Sequence, residues 1–98
     1  MSGIDPPSDM PRFDSLGSEA TRALKVWFFL RMNHGKWFKV DDIAEGIGLA
    51  ESTTANALTR IFGLPGEFRP RIERRILEDD RGKIVEYRFR GIVDIIFE

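Results

Sequence analysis

The stretch Ile43-Ala44-Glu45-Gly46-Ile47-Gly48-Leu49-Ala50-Glu51-Ser52-Thr53-Thr54-Ala55-Asn56-Ala57-Leu58 decides how this chain is read. Gly48 separates two runs with apolar residues at helical steps: Ile43, Ala44 and Ile47 before it, and Thr54, Ala57, Leu58, Ile61 and Phe62 after it. A small side chain at Ala44 lets a following helix come close. Glycine at 48 can take a backbone conformation that costs residues with a Cβ, and Leu49 can plug the angle between two helices. The second run predicts a helix from Glu51 to about Phe62, stopped by Gly63 and Pro65, with Ser52, Asn56, Thr59 and Arg60 on its polar side. Asp42 stands three residues before Glu45, the spacing of a capping box, and is expected to open the first helix of the pair.

Upstream, Ser18 offers an N-cap hydroxyl, and Ala20, Ala23, Leu24, Trp27, Phe28 and Leu30 follow at helical spacing, so a helix is expected from there to about Asn33, ended by Gly35. Its outer stripe mixes Arg22 and Lys25 with Phe29 and Met32. Lys36 to Val40 suits a short strand or extended link. Met1 to Gly17 holds three of the five prolines and three aspartates with no apolar period, and reads as a mobile tail (1–17) ahead of one domain (18–98).

Downstream, Gly63 to Arg71 reads as a loop. Ile72 to Glu78 and Lys83 to Arg90 flank Asp79-Asp80-Arg81-Gly82, and the second run alternates Val85, Tyr87 and Phe89 with Glu86, Arg88 and Arg90, which predicts a β-hairpin. Ile92 to Glu98 is rich in β-branched residues and reads as a strand or docked arm.

Ninety-eight residues bound the chain to one domain. Eight Phe and two Trp supply bulk for a core, and the absence of cysteine removes disulfides, thiolate metal sites and thiol nucleophiles. Fifteen Lys and Arg against sixteen Asp and Glu leave a net charge of −1, so a nucleic-acid partner has to be argued from where the charges lie. No apolar run is long enough for a membrane span, and no basic start leads into an apolar stretch, so a soluble protein of the cytoplasm is expected.

In its order of helix, short strand, helix, glycine turn, helix and hairpin, and in the residues quoted first, the chain resembles the winged helix-turn-helix family from about Ser18 to Arg90. The resemblance implies an α+β fold of three helices with a C-terminal hairpin wing. It also implies binding of double-stranded DNA, with helix 51–62 in the major groove and hairpin 72–90 against the backbone. Ala50 stands where the family often has a capping Ser, leaving Ser52 or a water to meet the first N–H groups of that helix.

Ser52, Asn56 and Arg60 follow at i, i+4 and i+8, flanked by Thr53 and Thr59, so they can enter a groove together. Asn can read adenine, Arg can read guanine, and Ser or Thr can hold a phosphate. Arg74, Arg75, Arg81 and Lys83 are the hairpin bases placed for phosphates, although Glu73, Glu78, Asp79, Asp80 and Glu86 interleave and cross-strand ion pairs would explain them equally well. Phe29, Met32 and the C-terminal segment 92–97 exceed what a small core needs, and a homodimer would bury them; folding of that segment over the first helix is the alternative.

His34 reads as a cap or surface ring, and Asp41-Asp42 and Asp79-Asp80 as capping and turn residues. Gly46-Ile47-Gly48 lacks the preceding strand of a phosphate loop, and Trp27, Trp37 and the Phe residues read as core. No catalytic residue, metal or cofactor is implied. The expected function is sequence-specific DNA binding, as in a regulator of transcription. Its rival is a winged helix used as a protein-interaction module.

Overall fold

The computed structural model describes residues 11–64 and 71–90. A 3-10 segment, Asp14–Glu19, bends at Gly17 and runs into α1 (Ala20–Met32). There follow β1 (Phe38–Lys39), α2 (Val40–Ile47), α3 (Glu51–Phe62), β2 (Ile72–Asp79) and β3 (Gly82–Phe89). The strands form an antiparallel sheet in the order β1-β3-β2, which puts the last strand in the middle. The described residues are therefore α+β, with three α-helices and a three-stranded antiparallel sheet.

Each helix turns its apolar side inward. Ala23, Val26, Trp27 and Leu30 of α1 meet Ile43 of α2, Ala57, Leu58 and Ile61 of α3, and Ile72, Tyr87 and Phe89 from one face of the sheet. Trp27 stands edge-on to Phe89, ring centroids 5.9 Å apart. Burying each large apolar side chain stabilises the fold by about 1.5 to 3 kcal/mol, and the rings give it most of its volume.

The turn between α2 and α3 forms as its residues dictate. Gly48 lies at φ 73°, ψ 30°, in the left-handed region, and the N–H groups of Gly48 and Leu49 both point back to the carbonyl of Ala44. The expected start of α3 at Glu51 and its end at Phe62 both hold. The hairpin joins through Asp80 and Arg81, one residue longer in β2 than expected, and the Asp79 carboxylate accepts the Arg81 N–H at 2.8 Å.

Four expectations are corrected. Ser18 does not start α1: the helix begins at Ala20 after Glu19, because the backbone is already turning through the 3-10 segment. Residues 11–17 are not an unpacked tail, since Phe13 is buried in the core and draws the chain back onto it; residues 1–10 lie outside the described residues. Asp42 is not the first residue of α2. The helix starts at Val40, and the Asp42 carboxylate reaches back to the Lys39 N–H at 3.3 Å. Finally, Trp37 and Phe28 are not core: Trp37 is half-buried on the far face of the sheet, and Phe28 is exposed on α1. The reading of 92–98 as strand or arm falls outside the described residues, as do residues 65–70 of the loop.

Candidate nucleic-acid interface

α3 is held by one side and open on the other. Thr54, Ala57, Leu58 and Ile61 are buried, while Ser52, Asn56, Thr59 and Arg60 are exposed and Thr53 is half-buried. At 100° per residue the open arc is centred on Ser52, Asn56 and Thr59, with Arg60 and Thr53 toward one flank and Ala55 and Phe62 toward the other. The Thr59 hydroxyl donates to the Ala55 carbonyl at 3.0 Å and the buried Thr54 hydroxyl to that of Ala50 at 3.0 Å, so both are committed within the helix. Among the described residues, no side chain pairs with Asn56 or Arg60.

Ala50 caps α3 with extended backbone and no side-chain hydrogen bond. The first N–H groups of the helix are thus presented outward beside Ser52, with Glu51 the one acid in that turn. A polar cleft of about 620 Å³ borders the other end, where Asn56, Thr59 and Arg60 face Ser15 and Leu16 of the 3-10 segment. This wall lies within the stretch 1–17 expected to be a tail, where no apolar period marks a packing segment.

Register decides the hairpin. Glu73 lies opposite Arg88 and Arg75 opposite Glu86, all four on the face of the sheet away from the helices. The Arg75 guanidinium meets the Glu86 carboxylate at 2.6 Å, Arg88 meets Glu73 at 2.6 Å, and Arg90 meets the other Glu73 oxygen at 3.3 Å. Both Arg75 and Arg88 also lie over the Trp37 ring, 4.1 and 4.5 Å from its centroid. Arg75 is therefore a neutralised, stacked member of a sheet-face network, not a free phosphate ligand.

The other hairpin bases differ. Arg74 points to the opposite face and lies over the Phe62 ring at 5.1 Å, next to the end of α3. Lys83 is 3.9 Å from Glu78, with both side chains largely exposed. Arg81 sits in the turn, exposed, about 8 residues of ribbon away from the helices. The structure thus gathers Ser52, Thr53, Asn56, Thr59 and Arg60 on one helix with Arg74 beside it, and leaves Arg75, Arg81 and Lys83 apart from them. Trp37 and Arg88, which the sequence reading missed as partners, were legible only through strand register.

No known protein family, curated protein or solved structure matches the chain. No described helix is long and apolar enough to cross a membrane.

Proposed function

We propose that this chain is a winged helix protein that binds double-stranded DNA through α3, acting as a site-specific regulator of transcription. The observation that carries this reading is the exposed polar arc of Ser52, Asn56, Thr59 and Arg60, with Asn56 and Arg60 unpaired among the described residues, on a helix fixed against the core by the glycine turn at 48. The order α1-β1-α2-α3-β2-β3 and the central place of β3 agree with that architecture. In a major groove, Asn56 at the centre of the arc reads a base edge, and Arg60 on the flank, beside the cleft, meets phosphate. Ser52, Thr53 and the open N–H groups of the first turn hold a second phosphate, and Arg74 a third. The reading is of equilibrium binding that blocks or recruits other machinery, with no reaction catalysed.

A second reading rests on the hairpin. Ile76 and Leu77 are exposed, at 56% and 40%, and its charges are largely paired, which suits a protein-docking ribbon better than a phosphate clamp.

Titrating the protein against mixed-sequence duplex at two salt concentrations, then selecting bound sequences, separates the two. DNA binding predicts an affinity that falls with salt at a slope of roughly −0.9 per phosphate neutralised, and an enriched motif. Undetectable affinity at low salt would remove DNA from the proposal.

A further inference from the structure

An apolar groove of about 420 Å³ runs along α1 from Leu24 to Met32, walled on its other side by Gly46 and Ile47 of α2. Met32 is 78% exposed on its rim. Phe29 belongs to its floor: the ring stands edge-on to Phe38, centroids 5.0 Å apart, and fills the space a Cβ on Gly46 would take. Among the described residues, Lys25 is the only charged one lining it. A recess of this kind usually marks a contact, since leaving it wet forgoes the burial it offers.

The chain leaves the sheet near the C-terminal end of α1, at one end of this groove. The Phe89 carbonyl accepts the Gly35 N–H at 3.0 Å, and Gly35 is three residues past Met32, so Arg90 sits at the Met32 end. The sequence then runs Gly91-Ile92-Val93-Asp94-Ile95-Ile96-Phe97-Glu98, with five apolar residues and two acids after the glycine. Residues 91–97 extended reach about 23 Å, whereas Leu24 to Met32 rises only about 12 Å along the helix.

We infer that residues 92–97 dock in this groove within the same chain, returning along α1 from Met32 toward Leu24, with Asp94 toward Lys25. A second copy is the rival occupant; the segment of the same chain is favoured because it starts near one end of the groove and is long enough to span it. Phe29, one of the residues expected at a dimer interface, is turned inward, which leaves Met32 and the edge of Phe28 as the exposed apolar rim.

The chain has no cysteine, so Glu98→Cys gives a single attachment point for a nitroxide on the full-length protein. Docking predicts a several-fold rise in transverse relaxation for amides of residues 21–28 on α1, none at the hairpin turn 79–82, and the same pattern after dilution with unlabelled chain. Uniform weak broadening over the whole surface would mean an undocked segment and overturn the inference. Broadening passed from a labelled chain to a separately isotope-enriched unlabelled one would place a second copy in the groove and overturn it equally.

Discussion

At position 48 the backbone sits at φ 73°, and a side chain there would press its Cβ toward the following carbonyl. Gly48→Ala should lower stability by about 1 to 2 kcal/mol, read as an earlier denaturation midpoint at unchanged slope. This residue was legible because a lone glycine between two helical periods has few other uses. Asp42 was only half legible: an acid placed three before Glu45 reads as a cap, yet the same acid serves Lys39 when the helix starts earlier. On α3, Asn56 and Arg60 should behave differently. Asn56→Ala should cost about 1 to 3 kcal/mol on the preferred duplex and flatten selectivity at one base pair, whereas Arg60→Ala should weaken every sequence alike and reduce the salt slope by about 1. Measuring both variants on a selected and a scrambled duplex checks the assignment; equal selectivity for Asn56→Ala and wild type would contradict it.

Among the elements, the hairpin shows what alternation alone leaves open. The strands and their turn were legible from Val85, Tyr87 and Phe89 against charged neighbours, but which arginine meets which glutamate depends on a two-residue turn at Asp80-Arg81. Once that register is set, Arg75, Glu86, Arg88, Glu73 and Trp37 share one face and satisfy one another. Arg75→Ala should therefore leave DNA affinity nearly unchanged and lower stability by roughly 0.5 to 1 kcal/mol, the size of a partly exposed ion pair with ring stacking. Glu86→Gln, which releases the Arg75 charge, should tighten binding to any duplex at low salt and lose that gain at high salt. A large affinity loss in Arg75→Ala would restore it as a phosphate contact.

For the whole molecule, the three helices and the hairpin followed from periodicity and punctuation, because the core positions repeat strongly enough to outvote local propensity, whereas their α+β arrangement was what the family resemblance implied. The packing of Phe13 did not, since a single ring among prolines and aspartates carries no period. A net charge of −1 with most hairpin bases paired predicts a shallow salt dependence for a DNA-binding protein of this size, equivalent to a few phosphate contacts. Fluorescence anisotropy across a salt series gives that number directly, and a slope near zero would shift the weight to protein docking.

The brevity of β1 has a mechanical consequence. Its two residues pair with Glu86 and Tyr87, so among the described residues the outer half of the ribbon, from Ile76 to Val85, has no third strand and no helix beneath its tip. Amide hydrogens there should exchange with solvent far sooner than those of Ile72 and Phe89, which share the core. A cantilever anchored at one end swings, and whatever clasps its tip must first hold it still. A partner that stills it would thus announce itself by slowed exchange well away from α3.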